Sequence, residues 1–182
     1  MDPHTPLERV NYVVGQVLGV DCFTAEQDYF LAKHRLHNRY LHGWGVVRGL
    51  QVSLTDASEL VVAPGLAIDC AGNEIHVCAP VSLKLPSQPP RLFLVLGYTE
   101  TLTAPIPIPT TPEPAEGPTD DLAYSRIREG FRLEILDLDP LKGHRGRRAG
   151  TPGCGLPHPV CLARLTRGRQ GWKVERRGHR RA

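Results

Sequence analysis

The sequence lacks the features of a membrane-spanning or secreted chain. No stretch of about eighteen apolar residues, the length needed to cross a bilayer, occurs in its 182 residues. The first residues, Met1-Asp2-Pro3-His4, lack the basic start and the apolar segment of a secretion signal. We therefore expect a cytoplasmic chain with no membrane partner.

Cysteine is sparse, and its spacing excludes two common small folds. The five cysteines are odd in number and none forms a Cys-x-x-Cys pair; they are Cys22, Cys70, Cys78, Cys154 and Cys161. A disulfide framework needs an even set, and a zinc ribbon needs closely paired cysteines. The sequence therefore predicts reduced, mostly buried thiols.

Motifs of known catalytic and cofactor sites are missing as well. There is no Gly-x-Ser-x-Gly elbow, no phosphate-binding glycine loop and no His-Glu-x-x-His motif. His34 and His37 lie three residues apart on a predicted helix, but a zinc site needs three or four convergent ligands. We expect no catalytic residue, no cofactor and no metal.

What the sequence does contain is a separation of charge. Residues 1–139 hold 10 Lys and Arg against 18 Asp and Glu, whereas residues 140–182 hold 12 against 1. The basic end is a candidate partner-binding region, with Arg176, Arg177, Arg180 and Arg181. It can bind nucleic acid or another polyanion, or complement an acidic protein surface. Because no aromatic residues alternate with these arginines, as base stacking requires, nucleic acid is the less favoured partner.

An amphipathic helix is predicted over residues 24–42. Thr24 is a suitable N-cap with Gln27 three residues later, which is a capping-box pairing, and Gly43 marks the end. Five apolar side chains recur at helical spacing along one stripe: Ala25, Tyr29, Ala32, Leu36 and Tyr40. We expect this stripe to be buried.

The remaining pattern is typical of antiparallel strands. Leu50, Val52 and Leu54 alternate with polar residues, and glycine turns follow; Arg91–Tyr98 is apolar on both faces and predicts a central strand. Further strands are predicted at Leu60–Ala63, Leu66–Asp69, Glu74–Val77, Phe131–Ile135, Val160–Leu165 and Trp172–Val174. The predicted fold is mainly β: an antiparallel β-sandwich or small open barrel of about seven to nine strands, with one N-terminal helix and long Pro/Gly-rich loops.

We expect one domain over residues 1–182. Its predicted parts are an extended arm (1–22), the helix (24–42), a β core (45–100 and 127–175), a Pro-rich acidic loop (103–121), a Gly/Pro/Arg-rich loop (140–159) and a basic tail (176–182).

Two further features are candidate partner contacts. The arm carries Tyr12 and Gln16 and is suited to pair with the sheet edge of a neighbour. Trp44 lies between Gly43 and Gly45 at the junction of helix and strand, where a large aromatic either caps the core or anchors a partner. The sequence leaves both interpretations of Trp44 open.

Four motifs carry a family resemblance. They are Arg9-Val10-Asn11-Tyr12-x-x-Gly15-Gln16-x-Leu18, then Phe23-Thr24-Ala25-Glu26-Gln27-Asp28-Tyr29-Phe30, then His37-Asn38-Arg39-Tyr40-Leu41-His42-Gly43-Trp44-Gly45-Val46-Val47-x-Gly49-Leu50-x-Val52, and Val62-x-Pro64-Gly65-x-Ala67-Ile68-Asp69-x-x-Gly72-x-Glu74-Ile75. Residues 9–78 resemble small structural or accessory proteins encoded with contractile injection systems and phage-tail-like particles. The hairpin around Leu162-Ala163-Arg164 is similar to baseplate-associated and tail-fibre β-modules.

The resemblance implies a non-catalytic structural or assembly component, assembled into a particle at the level of the baseplate or fibre. Its partners would be other subunits of that particle, and whether it also forms a homo-oligomer stays open. The residues leave two alternatives: a nucleic-acid or polyanion binder that uses the basic C-terminal region, and a ligand- or carbohydrate-binding β-module.

Overall fold

The computed structural model describes residues 6–55, 59–107, 122–142, 152–169 and 171–177. Within them the chain forms one helix, α1 (Val20–His37), and a π-helical turn (Asn38–His42). The strands follow in the order β1 (Gly45–Gly49), β2 (Val52–Leu54), β3 (Glu59–Val62), β4 (Gly65–Ile68), β5 (Glu74–Val77), β6 (Val81–Lys84), β7 (Arg91–Pro107), β8 (Leu122–Leu136), β9 (Val160–Gly168) and β10 (Gly171–Arg176).

The strands form three antiparallel sheets. Their orders are β1-β4-β5, β2-β3-β6 and β10-β9-β7-β8. Glycine turns join neighbouring strands where the sequence predicts them, and Gly49 adopts a φ of 66° beside a register shift between β1 and β4. The prediction of a mainly β, antiparallel fold with one N-terminal helix is confirmed.

One hydrophobic core joins the three sheets. It contains Val46 from β1, Leu60 from β3 and Leu94 from β7, among others. The opposite face of β7 is also covered, because Phe93 and Val95 pack with Leu136 and Leu141. This double coverage explains why the sequence is continuously apolar there, and the predicted central strand is confirmed.

The hairpin of β7 and β8 is longer than the sequence predicts. Thr103 pairs with Arg126 and Pro107 with Leu122, so the prediction of a loop is wrong for residues 103–107. The strand β9 pairs with β7 over Arg91–Leu96, and beyond Leu96 no described strand pairs with that edge of β7. Proline is tolerated at such an edge because its missing N–H breaks no ladder hydrogen bond. The rest of the predicted loop lies outside the described residues.

The two basic segments are described in part. Residues 140–142 form a turn and residues 152–159 have no regular structure, while 143–151 lie outside the described residues. Arg176 is the last residue of β10 rather than part of a tail. Arg180 and Arg181 also lie outside the described residues.

The helix differs from its prediction at its start and in its packing. It begins at Val20, with Gly19 as the N-cap instead of Thr24, and the helical path ends at Gly43, whose φ is 67°. No residue of α1 is buried, and within the expected buried stripe Leu36 is 39% and Tyr40 is 50% exposed. The prediction that the chain itself buries this stripe is therefore wrong. In the part of the chain that the structure describes, no helix is long and apolar enough to span a bilayer.

Candidate protein-docking surface

The C-terminal end of the helical segment is fixed to the β body by Asn38. Its side-chain Nδ2 donates hydrogen bonds to the Gly72 carbonyl oxygen at 3.0 Å and to Glu74 Oε1 at 3.1 Å. Asn38 is 7% exposed, so these are contacts of a buried polar group. The hydrogen bond from Asn38 is the main reason that the pKa of Glu74 is lowered. A half-exposed ion pair between Arg35 and Glu100, at 3.4 Å, adds a weaker contact.

The turn between β4 and β5, which Asn38 contacts, is held by hydrogen bonds of its own. Asp69 Oδ1 accepts hydrogen bonds from the backbone N–H groups of Ala71 at 2.9 Å and Asn73 at 2.8 Å. Burial raises the pKa of Asp69, although these hydrogen bonds oppose the shift. Gly72 has a φ of +92°, and a Cβ there would lie 2.9 Å from the Cα of Arg35. Only glycine lets the helical segment approach so closely.

Trp44 belongs to the core and not to an exposed anchor. Its side chain is 1% exposed, between Gly43 (φ 67°) and Gly45 (φ 125°). Of the two interpretations that the sequence leaves open, packing is therefore the one that the structure shows. The physical reason is that the chain turns at these two glycines and directs the indole into the body.

Large apolar side chains are exposed along α1 and the segment before it. Among the described residues, 19 large hydrophobic side chains are exposed, and 12 of them lie between residues 12 and 41. The twelve are Tyr12, Val13, Val14, Val17, Leu18, Val20, Phe23, Phe30, Leu31, Leu36, Tyr40 and Leu41. A concentration of this kind makes these residues a candidate interaction surface, because exposed apolar residues are otherwise usually scattered singly. We call this set the apolar arm.

The apolar side chains lie on opposite sides of the helix. At about 100° per residue, Val20, Phe23 and Phe30 fall on one side, and Leu36 and Tyr40 fall on the other. Only the second side is predicted by the stripe in the sequence. The spacing of three and seven residues between Val20, Phe23 and Phe30 is the signal that could have revealed the first. A helix that is apolar on both sides is ordinarily surrounded by protein.

The segment before α1 is bent, and it is not a strand. The Gln16 N–H donates to the Val13 carbonyl oxygen at 3.1 Å, which forms a turn, and the Val13 N–H donates to Gln16 Oε1 at 3.2 Å. The Tyr12 hydroxyl donates to Glu26 Oε2 at 2.5 Å, which joins the segment to the start of the helix and raises the pKa of Tyr12. The prediction of an extended arm is therefore wrong for these residues, because local hydrogen bonds fold the segment back on α1.

The predicted site residues fall in separate places. Tyr12 and Gln16 lie near the start of α1, whereas Arg176 and Arg177 lie at the end of β10. The backbone N–H of Arg177 donates to the Leu162 carbonyl oxygen at 2.8 Å, and its guanidinium lies 3.9 Å from the carboxylate of Glu175. Arg177 therefore contacts β9 and β10 of its own sheet.

An open groove of about 410 Å³ lies beside the apolar arm near the end of the helix. It is lined by Lys33, His34, His37, Asn38, His42 and Glu74. The His37 and His42 rings lie 5.1 Å apart between centroids. Across the described residues, no three or more His, Cys, Asp or Glu side chains are placed to hold a metal ion. Polar and charged residue types therefore line this groove next to the apolar arm.

Comparison with known proteins shows similarity in fold only. No protein-family model matches the sequence, and no curated protein matches it. A chain in the cryo-electron microscopy structure of the TssK-TssF-TssG baseplate subcomplex of the type VI secretion system is similar, with a TM-score of 0.52 and 15% identity. The crystal structure of TssK gives a TM-score of 0.50 and 15% identity. The alignments cover 93% of this chain in both cases, but 60% and 41% of those chains. The chain therefore shares a fold with part of these larger proteins.

Proposed function

We propose that this protein is a non-catalytic structural or assembly component of a phage-tail-like contractile injection apparatus, at the level of the baseplate. It acts by docking the apolar arm on other subunits of the particle, and it reaches the particle from the cytoplasm. The observation that carries this proposal is a helix that is apolar on two sides and buries none of its residues. The fold shared with type VI secretion baseplate structures supports the choice of particle.

The energetics of the apolar arm suit docking. Full burial of a side chain such as Phe23 or Phe30 contributes about 1.5–3 kcal/mol, so a few such residues supply a stable contact. Asn38 already fixes one end of the helical segment to the body. A partner therefore has less conformational entropy to remove when it binds, which is the usual advantage of a pre-formed binding element.

Incorporation into particles tests this proposal. The double variant Phe23→Ser/Phe30→Ser removes the two exposed aromatic rings of one helix side, and Leu138→Ser is the matched control at an exposed apolar residue in the turn after β8. We expect the double variant to be absent from purified particles and the control to be present. Because all three residues are exposed, both proteins should keep the wild-type melting temperature.

Two results would contradict the proposal. One is normal incorporation of the folded double variant, which would show that these rings make no essential contact. The other is equal loss of the double variant and the Leu138→Ser control, which would show that the particle rejects any polar surface change.

A further inference from the structure

The irregular segment 152–159 is packed on the turn that carries Cys70. The Gly155 N–H donates to the Cys70 carbonyl oxygen at 3.1 Å. On the other side of Cys154, a Cβ added to Gly153 would lie 2.7 Å from the Cα of Cys70. Backbone contacts on both flanks therefore hold Cys154 beside Cys70, although 84 positions separate them in the sequence.

The two cysteines also affect each other. The Cys154 backbone lowers the pKa of the Cys70 thiol and the Cys154 side chain raises it, although burial has the largest effect. The Cys154 sulfur accepts a hydrogen bond from the Leu156 N–H at 3.4 Å, and the residue is exposed, whereas Cys70 is buried. Disulfides form where the two Cα atoms approach to about 4.4–6.8 Å and the sulfurs point toward each other. The packing of residues 153–155 on Cys70 suits that requirement.

We propose that Cys70 and Cys154 form a reversible intramolecular disulfide by exchange with a small disulfide such as oxidised glutathione. The Cys154 thiolate attacks one glutathione sulfur, which breaks that S–S bond and releases one glutathione. The Cys70 thiol then loses its proton, and its thiolate attacks the Cys154 sulfur and releases the second glutathione. The two protein thiols are oxidised, oxidised glutathione is reduced, and the two protons pass to the two glutathione thiols.

The environments of the two cysteines assign their order of reaction. Cys154 reacts first because it is exposed. Burial raises the pKa of Cys70 to about 12, so the second step is slow at neutral pH and accelerates as the pH rises. We expect the rate of disulfide closure to increase about tenfold for each unit of pH, following the Cys70 thiolate fraction.

The disulfide would link segment 152–159 covalently to the β4–β5 turn, which the end of the helical segment contacts. A Cβ on Gly155 would lie 2.6 Å from Arg39 Nη2, so segment 152–159 also contacts the π-helical turn. The same segment therefore lies between the Cys70 turn and the end of the helical segment. A covalent link at Cys70 would hold these three parts together.

The test uses the full chain in buffers of reduced and oxidised glutathione, with alkylation of remaining thiols and mass spectrometry. We expect a product whose mass is lower by two hydrogen atoms, with a Cys70–Cys154 link assigned by fragment sequencing. Cys154→Ser should abolish this product, and it leaves the fold intact because the side chain is exposed. Cys78→Ser is the matched control, since Cys78 is exposed and lies on the same tryptic peptide as Cys70.

Several results would overturn the proposal. A glutathione adduct on Cys154 that never resolves would show that Cys70 cannot reach it. A link that involves Cys78 or Cys161, or that forms only after denaturation, would show that the folded chain does not pair these thiols. None of these outcomes depends on the proposed function, because the test uses the isolated chain.

Discussion

Replacing Asn38 with alanine should release the end of the helical segment from the β body. The substitution removes the hydrogen bonds to the Gly72 carbonyl oxygen and to Glu74. A neutral hydrogen bond contributes about 0.5–1.5 kcal/mol and one to a charged group up to about 3 kcal/mol. The Glu74 side chain is about half exposed, so solvent weakens the contribution of the hydrogen bond from Asn38 to its carboxylate. We expect a cost of about 1–3 kcal/mol.

Hydrogen exchange is the appropriate assay, since α1 has no buried residue and can open without unfolding the core. A cost of about 1–3 kcal/mol corresponds to exchange faster by about 5- to 150-fold. The acceleration should be confined to the end of α1, the π-helical turn and the β4–β5 turn. The matched control is Asn11→Ala in the exposed segment before α1, which should change nothing. Unchanged exchange in Asn38→Ala, or acceleration throughout the sheets, would refute the assignment of Asn38 as a local anchor.

Four further substitutions test other parts of the structure. Leu94→Ala should lower the free energy of unfolding by about 2–5 kcal/mol in a denaturant titration, because Leu94 is fully buried, whereas Leu36→Ala should change it by no more than about 0.5 kcal/mol. Gly72→Ala should destabilise the chain in the same titration, because alanine meets both a positive φ and the Arg35 backbone, and a wild-type midpoint would contradict this. Glu74→Gln tests the pH dependence of stability. The pKa of Glu74 is lowered in the folded chain from its ordinary value of 4.5, so the ionised carboxylate stabilises the fold at pH values above 4.5. This stabilisation is lost as the pH falls through the lowered pKa. The stability difference between wild type and Glu74→Gln should therefore shrink on acidification, and a constant difference would argue against the Asn38 contact.

The β core was predictable because its signals are local. Alternation of apolar and polar residues, as at Val52 and Leu54, indicates a strand with one covered face. A continuous apolar run, as in β7, indicates a strand that is covered on both faces. Glycine turns then fix the pairing of neighbouring strands. These signals predict eight of the ten described strands, but they miss β1 and β6, the division into three sheets and the extension of β7 to Pro107.

The candidate docking surface was only partly predictable, because periodicity shows that a stripe is apolar but not what covers it. Leu36 and Tyr40 have the spacing of core residues, yet the chain leaves them exposed. The sequence leaves Trp44 open between a core position and an exposed anchor, and the structure buries it between two glycines of positive φ. Both outcomes depend on the path of the chain after the helix, which is a tertiary property that no local pattern contains.

Docking through the apolar arm is tested most directly by hydroxyl-radical footprinting of Phe23, Phe30 and Tyr40 in the isolated chain and in assembled particles. These rings are exposed in the isolated chain and should be labelled readily there. If the apolar arm is the docking surface, their labelling should fall sharply in particles, while that of exposed Leu138 should stay the same. Equal labelling of the three rings in both states would contradict docking through this surface.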